Sequence, residues 1–222
     1  MHRADEYINT IIQGDCIDIM RELPDKCIDL VLTDPPYGIK QNAHRIKSRT
    51  KLAKTIDYGD FSWDNKIPEP EYFEEMIRTS KNQIIWGGNY FADILESSSC
   101  WLVWDKENGN TNFADCELAW TSFGGAVRIF RYMWNGMLQG DMKNKENRIH
   151  PTQKPVKLFT WILQNYSKEG DLILDPFSGS GTTAIACHRM NRRFICIEKE
   201  EKYVKLSRER LKVEHMQQRL PL

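Results

Sequence analysis

Residues 172–198 hold the pattern that most restricts how this chain can fold. The apolar run LILD is typical of a strand buried on both faces, and it is followed by the turn PFSGSG, the helical segment TTAIACHRMNR and a second apolar run, FICIE. Strand, helix and strand in this order predict a parallel pair with a helical connection. We therefore expect a parallel sheet covered by helices.

The rest of the chain continues the alternation. Short apolar or β-branched runs predict strands at YINTIIQ, IDLVLT, QIIWGG, CWLVWD, CELAWTSF and VRIFRYMW. Helices are predicted at CIDIMREL, PEPEYFEEMIRTSK and PVKLFTWILQNYSKEG, and from Glu200 to about His215. Residues 135–150 are polar, contain two glycines and predict an exposed loop. The expected fold is one α/β domain over residues 1–222 with a doubly wound, mostly parallel sheet.

Composition excludes several classes of protein. Of the 222 residues, 41% are hydrophobic and 11% aromatic, which is too much apolar material for a disordered chain. No run approaches the ~20 apolar residues of a membrane helix, and the N-terminus lacks the apolar core of a secretory signal. We expect a cytoplasmic protein with no membrane partner. The six cysteines form no CxxC pair and the five histidines no HxxxH pattern, so reduced thiols and no metal site are expected.

Charge is segregated along a chain whose 31 basic and 31 acidic residues cancel. Zero net charge argues against a protein that coats nucleic acid without sequence preference. Between residues 39 and 56, however, there are basic residues and no acid, namely Lys40, Arg45, Lys47, Arg49, Lys51 and Lys54. Residues 123–150 are also predominantly basic. Such runs are usually solvated loops, but they lie close to the motifs described next.

The turn after LILD has the features of a nucleotide-type cofactor site. Gly179 and Gly181 lie between strand and helix, where the absence of Cβ atoms lets a ligand approach, although glycines in a tight turn are often only structural. Glu198 follows Gly179 by 198 − 179 = 19 residues, the distance at which an acid can accept hydrogen bonds from ribose hydroxyls. The phosphate-binding lysine of a P-loop is absent, which disfavours a nucleoside triphosphatase. A ligand with ribose and no required phosphate, such as S-adenosylmethionine, fits this pattern.

The tetrapeptide Asp34-Pro35-Pro36-Tyr37 follows the buried strand IDLVLT. These residues would also make a plain rigid turn. A catalytic role is favoured by the chemistry of an aromatic amine, whose lone pair is delocalised into the ring. The Asp34 carboxylate and the Pro35 carbonyl can each accept one amine hydrogen, which frees the lone pair for attack on a sulfonium methyl, while Tyr37 stacks on the base.

With both motifs in place, the chain resembles the β group of S-adenosylmethionine-dependent DNA amino-methyltransferases, in which DPPY precedes FxGxG. The matching segments, which span nearly the whole chain, are GDC, DPPYG, QIIWGGNY, HPTQKP, DPFSGSGTT and FICIE. The resemblance implies a seven-stranded, circularly permuted Rossmann-like sheet and methylation of adenine N6 or cytosine N4. Aspartate at position 34 resembles the adenine-specific members, since the cytosine enzymes more often carry serine there.

The family's functional residues carry over onto the matching positions. The implied catalytic residues are Asp34, Pro35, Pro36 and Tyr37. The implied cofactor residues are Asp15, Cys16, Asp34, Lys154, Phe177, Ser178, Gly179, Ser180, Gly181, Thr182 and Glu198. Among these, Asp15 would lie near the adenine and Lys154 at the methionine carboxylate. Asp15 could equally be a helix N-cap, and Lys154 an exposed lysine before a helix.

The basic segments then become the expected DNA contacts. Residues 39–65 would form a loop over the target base, and residues 123–149 occupy the slot of the family's recognition region. The expected DNA-binding residues are Lys40, Arg45, Lys47, Arg49, Arg128 and Arg131. Because the recognition segment is short, it suggests a short target or help from a second copy or another subunit, such as a restriction endonuclease or specificity partner.

The predicted function is transfer of methyl from S-adenosylmethionine to adenine N6 in double-stranded DNA, as in restriction–modification. Cytosine N4 in DNA and adenine N6 in RNA are the enzymatic alternatives. A module that binds nucleic acid without catalysis is the alternative from another class, and the presence of Asp34, Tyr37 and both glycines argues against it.

Overall fold

The computed structural model describes residues 3–39, 66–109, 114–135 and 138–218. The strands in these ranges are β1 (Thr10–Gln13), β2 (Ile28–Thr33), β3 (Ser80–Trp86), β4 (Trp101–Asp105), β5 (Cys116–Thr121), β6 (Arg128–Arg131), β7 (Trp134–Asn135), β8 (Leu138–Gln139), β9 (Leu172–Asp175) and β10 (Arg193–Glu198). The helices there are α1 (Arg3–Tyr7), α2 (Cys16–Arg21), α3 (Pro70–Thr79), α4 (Val156–Tyr166), α5 (Thr182–Arg189) and α6 (Glu201–Gln218). None of these helices combines the length and apolar composition needed to cross a membrane.

In the described ranges, eight strands form one sheet in the order β1-β10-β9-β2-β3-β5-β4-β6. The neighbours from β1 to β3 are parallel, and β5 runs antiparallel to both β3 and β4. From β9 the chain continues outward to β10, whereas from β2 it continues to β3 on the other side. The direction of winding therefore reverses between β9 and β2, and open α/β sheets bind their ligands at the carboxyl ends of such strands.

The two faces of the sheet carry separate cores, as expected for strands with uninterrupted apolar runs. In β2, Leu32 belongs to one core and its neighbour Val31 to the other. Phe159 of α4 covers the first face and Phe73 of α3 covers the second. The predicted doubly wound α/β sheet is thus confirmed. The strands β9 and β10, which flank the glycine turn predicted to bind the cofactor, come last in the chain.

The sheet has one strand more than the seven expected. The eighth is β6, which pairs in parallel with β4 at the edge of the sheet. Its residues lie inside the segment 123–149, so part of the predicted recognition insertion is an edge of the core sheet. At the other edge, the first strand begins only at Thr10, because residues 3–7 are helical.

The predicted exposed loop over residues 135–150 is confirmed at residues 142–145 but is wrong at Gln139 and His150, which are buried. Gln139 is only 3% exposed, and its side chain bonds to the backbone N–H and carbonyl of Glu146. The Glu146 carboxylate in turn accepts the N–H of Val156 at 2.9 Å, at the start of α4. Polar composition did not mean exposure here, because these polar groups satisfy one another.

Candidate active site

A cavity of about 480 Å³ opens at the carboxyl ends of β1, β2, β9 and β10. Each of these strands places an acid there directly or within two residues, in order Asp15, Asp34, Asp175 and Glu198. The predicted site residues among its lining are Asp15, Cys16, Asp34, Pro36, Lys154, Phe177, Ser178, Gly179, Ser180, Thr182 and Glu198. Asp34 and Pro36 therefore share one cavity with the cofactor turn, although the two motifs are far apart in sequence, whereas the predicted site residues Pro35, Tyr37 and Gly181 do not line it.

The chemistry of the lining fits a cationic ligand with hydrogen-bonding groups. Six acids and three lysines contribute to the described wall, namely Asp15, Asp34, Glu69, Asp175, Glu198 and Glu200 with Lys66, Lys154 and Lys199. In addition, the Ser178 Oγ is buried and has no hydrogen-bond partner among the described residues. Buried polar atoms are rarely left unpaired in native proteins. S-Adenosylmethionine, whose sulfonium is positive, matches both features.

Glu198 holds the glycine turn in place. One carboxylate oxygen accepts the N–H of Gly179 and the other accepts the N–H of Glu200, both at 2.8 Å. Burial raises the pKa of Glu198, although these backbone donors oppose the shift. Because a carboxylate has about four acceptor positions, Glu198 retains capacity for ribose hydroxyls while it fixes the turn.

We expect Glu198→Ala to weaken S-adenosylmethionine binding by about 1.5–3 kcal/mol, the range for hydrogen bonds to a charged group. Calorimetry of the purified variant measures this. Glu201→Ala is the matched control, because that carboxylate lies on α6 outside the cavity and pairs with Lys205. An unchanged dissociation constant in folded Glu198→Ala would remove Glu198 from the cofactor site.

Asp15 performs both roles that the sequence left open. Its side chain accepts the N–H of Ile17 at 3.2 Å and so caps α2, and it also lines the cavity. Tyr72 donates its hydroxyl to Asp15 at 3.2 Å, and the Tyr72 ring lies 6.1 Å from that of Phe177. The aromatic pair forms a wall suited to a planar base. Tyr72 was missed in the sequence, where it is one aromatic of an ordinary helix.

Asp175 is a second residue that the sequence analysis missed. It accepts the hydroxyls of Thr33, at 2.7 Å, and Thr183, and the N–H of Phe177 at 3.1 Å. Burial raises the pKa of Asp175 to about 7. The residue joins the end of β2 to the cofactor turn and to α5. Its position at the end of strand LILD was the available signal.

Gly181 has a packing role that the sequence did not predict. It does not line the cavity, and a Cβ at this position would lie 2.8 Å from the Ser207 Cβ on α6. Its φ of +72° also disfavours other residues. Gly181 therefore allows α6 to pack closely on the turn, and its predicted contact with the cofactor stays a prediction.

Gly181→Ala should destabilise the fold by about 1–3 kcal/mol more than Gly170→Ala, because it adds overpacking to backbone strain. Gly170 is the matched control, since its φ of +81° is similar and a Cβ there meets nothing within 4 Å. Denaturant unfolding of the two variants gives the comparison. Equal losses would mean that the contact with Ser207 does not matter.

The Asp34 motif is organised by hydrogen bonds and stacking. Tyr37 donates its hydroxyl to Asp34 Oδ1 at 2.5 Å, and its ring stacks on Tyr90 with centroids 4.9 Å apart and planes inclined by 15°. A Cβ on Gly87 would lie 2.1 Å from the Tyr37 ring, so this position must be glycine. Gly87 and Tyr90 come from QIIWGGNY, which the sequence analysis had matched without assigning roles. Burial raises the pKa of both Asp34 and Tyr37.

Lys154 lines the cavity and forms ion pairs with two acids of the protein. Its side chain is 6% exposed, and its Nζ lies 2.5 Å from Asp34 Oδ2 and 2.9 Å from Glu117 Oε2. In this structure the Lys154 ammonium is paired with these two protein carboxylates, and its contact with the methionine carboxylate stays a prediction. The fixed anions neutralise a buried ammonium that would otherwise be costly.

The expected DNA contacts are only partly described. Lys40, Arg45, Lys47 and Arg49 lie outside the described residues. Arg128 and Arg131 are exposed on β6 but three positions apart, so they point to opposite faces of the sheet, and Arg131 lies 3.4 Å from Asp105. The structure does not bring these two arginines together.

The described sheet is doubly wound, and its cavity contains a glycine turn after β9, Glu198 at the end of β10, and Asp34 and Pro36 of the Asp-Pro-Pro-Tyr loop. This is the arrangement expected of a Rossmann-like methyltransferase. Comparison with known proteins agrees with that class. A family model described as DNA methylase, which includes N6 and N4 enzymes, matches residues 104–209.

Two curated relatives cover most of the chain. The Type II methyltransferase M.HinfI of Haemophilus influenzae is 27% identical over 248 residues, which span 93% of this chain and 69% of that protein. The Type II methyltransferase M2.MboI of Moraxella bovis is 29% identical over 247 residues, which span 93% of this chain and 89% of that protein. These matches support the assignment that the motifs predicted, an S-adenosylmethionine-dependent DNA amino-methyltransferase.

Solved structures support the fold. The complex of M1.HpyAVI with SAM aligns with a TM-score of 0.53 and 23% identity, covering 91% of this chain and 99% of that one. The PvuII DNA methyltransferase, which is cytosine-N4-specific, aligns with a TM-score of 0.58 and 16% identity, covering 93% and 91%. The fold therefore does not determine whether the methylated amine is adenine N6 or cytosine N4.

Proposed function

We propose that the chain methylates N6 of adenine in double-stranded DNA. The observation that carries the proposal is the position of Asp34: its carboxylate lies in the wall of the cavity that also contains the cofactor turn and Glu198. An acceptor for an amine hydrogen therefore lies beside the place where the methyl donor would bind. Asp15, Ser178, Gly179 and Glu198 would hold that donor.

Bound S-adenosylmethionine supplies an electrophilic methyl group on a sulfonium sulfur. This methyl group would pass to the amine nitrogen while the carbon–sulfur electron pair stays on sulfur, and the proton released by the nitrogen would go to the Asp34 carboxylate or to water. Asp34 accepts an amine hydrogen and makes the nitrogen pyramidal, with the Pro35 carbonyl as the second acceptor. Preorganised acceptors of this kind contribute through electrostatics and positioning.

The target base must leave the double helix to reach Asp34. The exocyclic amine of a paired base is engaged in Watson–Crick hydrogen bonding, and enzymes that react at such atoms extrude the nucleotide. In this structure the Tyr37 ring stacks on Tyr90. During the reaction the Tyr37 ring would stack on the extruded base. Phosphate contacts are proposed for Lys40, Arg45, Lys47 and Arg49, with Arg128 and Arg131 as further candidates.

Adenine is proposed over cytosine because the first residue of the tetrapeptide is aspartate. The family includes N4 enzymes, and the cytosine-N4-specific PvuII enzyme shares the fold. The test is expression in a host without DNA methylation, followed by long-read sequencing that maps modified bases. We expect N6-methyladenine in one short sequence context. N4-methylcytosine would assign the cytosine alternative, and an unmodified genome with methylated RNA would assign the RNA alternative.

A further inference from the structure

Four side chains of alternating charge lead from Asp34 into the protein, of which Lys154 is buried and the other three are half-buried. Lys154 lies between Asp34 and Glu117, and Lys106 lies 2.5 Å from the other oxygen of Glu117. The side chains of Lys106 and Glu117 are 17% and 22% exposed. We call Asp34, Lys154, Glu117 and Lys106 the charge row.

The topology explains how the charge row assembles. Lys106 directly follows the carboxyl end of β4, and Glu117 pairs with Trp104 near the beginning of β5. Because β5 is antiparallel to its neighbours, its first residues lie at the same edge of the sheet as the carboxyl ends that carry Asp34 and the cofactor turn. Neither Lys106 nor Glu117 lines the cavity.

An ion pair between Lys154 and Asp34 alone would hinder catalysis. A full ammonium on Oδ2 competes with the amine hydrogen that this carboxylate has to accept, and it lowers the proton affinity of the carboxylate. The Lys154 ammonium is also enclosed by the rings of Tyr37 and Trp86, with centroids at 5.5 and 6.0 Å. It therefore cannot turn to solvent when the base arrives.

We infer that Glu117 is a positioning residue that holds the Lys154 ammonium partly away from Asp34, and that Lys106 sets how strongly Glu117 does so. This inference rests on the proposed amine methylation. Glu117 gives Lys154 a second anion at 2.9 Å, so the ammonium stays paired when Asp34 Oδ2 turns to the amine. Lys106 neutralises part of the Glu117 charge and so limits how strongly Glu117 attracts the Lys154 ammonium.

The electrostatics of the neighbouring groups agree with this arrangement. Burial raises the pKa of Asp34, Lys154 lowers it and Glu117 raises it. Burial would raise the pKa of Glu117 as well, but Lys154 and Lys106 outweigh it and bring that pKa to about 2, so Glu117 stays ionised. Among the described residues, Tyr37 on its own loop and Asp175 at the end of β9 are further titratable groups near Asp34.

The test compares the pH dependence of single-turnover methyl transfer in two variants. Asp34 must be ionised to accept the amine hydrogen, so the rate falls as the pH drops through its pKa. In Glu117→Gln, Lys154 pairs with Asp34 alone; we expect the acidic limb to move to lower pH by about half a unit or more, and the plateau rate to fall about tenfold.

Lys106→Gln is the matched variant of opposite sign. Without Lys106, the full negative charge of Glu117 acts on the Lys154 ammonium and draws it from Asp34. The pKa of Asp34 should then rise, so the acidic limb of the pH profile should move to higher pH. The dissociation constant of S-adenosylmethionine should stay within about twofold of the parent in both variants, since neither residue lines the cavity. General loss of structure cannot produce shifts of opposite sign.

Unshifted acidic limbs, or limbs that move in the same direction, would overturn the inference. If Glu117→Gln does not fold, the sign of the Lys106→Gln shift decides. The base methylated by the parent chain is identified first. A parent that methylates cytosine N4 would refute only the proposed base, because the charge row acts on any amine that Asp34 accepts.

Discussion

Replacing Asp34 by alanine should reduce the single-turnover rate of methyl transfer by about 10²–10³, the usual loss when one preorganised electrostatic partner is removed. The variant lacks an acceptor for the amine hydrogen and leaves Lys154 with Glu117 as its partner. Rapid-quench measurement with saturating DNA and cofactor gives the rate directly.

The matched control is Asp29→Ala, at the opposite end of the same strand. Asp29 pairs with Lys81 at 2.6 Å and lies outside the cavity, so any loss of transfer should be small. A near-parental rate in Asp34→Ala would show that the Asp-Pro-Pro-Tyr loop does not polarise the amine.

Tyr37→Ala should be the second most damaging change. It removes the stacking surface for the extruded base, worth about 1–3 kcal/mol, and the hydroxyl bond to Asp34, worth about 0.5–1.5 kcal/mol. Tyr37→Phe should lose only the second contribution. The fluorescence of 2-aminopurine at the target position reports extrusion, and single-turnover kinetics report transfer.

The two Tyr37 variants separate ring from hydroxyl. The sequence favoured the ring, and the hydrogen bond at 2.5 Å adds a role for the hydroxyl in holding Asp34. We expect weakened extrusion only in Tyr37→Ala. If Tyr37→Phe were equally impaired in transfer and extruded the base normally, the hydroxyl would be the essential group and stacking would be secondary.

Strand ends are where the sequence was most informative. Asp34, Glu198 and the glycine turn each follow an uninterrupted apolar run, and parallel strands bring their carboxyl ends to one edge of the sheet. Local pattern was therefore enough to place them together. The same reasoning could have included Asp175, which ends the strand LILD.

The remaining site residues depend on contacts that no local pattern reports. Glu117 reaches the site because β5 is antiparallel, and the run CELAWTSF does not reveal its direction. Gly181 is required by Ser207, which lies 26 residues further along the chain, 207 − 181 = 26. The ion pairs of Lys154 with Asp34 and Glu117 could not be foreseen either, because they join residues far apart in sequence.

The measurement that tests the central claim most directly is the identity of the methylated nucleoside. Purified chain is incubated with duplex DNA and S-adenosylmethionine that carries an isotope-labelled methyl group, and the digested DNA is analysed by mass spectrometry. We predict label in N6-methyldeoxyadenosine with the parent chain and a loss of about 10²–10³ in its rate of appearance with Asp34→Ala. Label on a carbon atom of a base, or labelling that is independent of Asp34, would contradict the account.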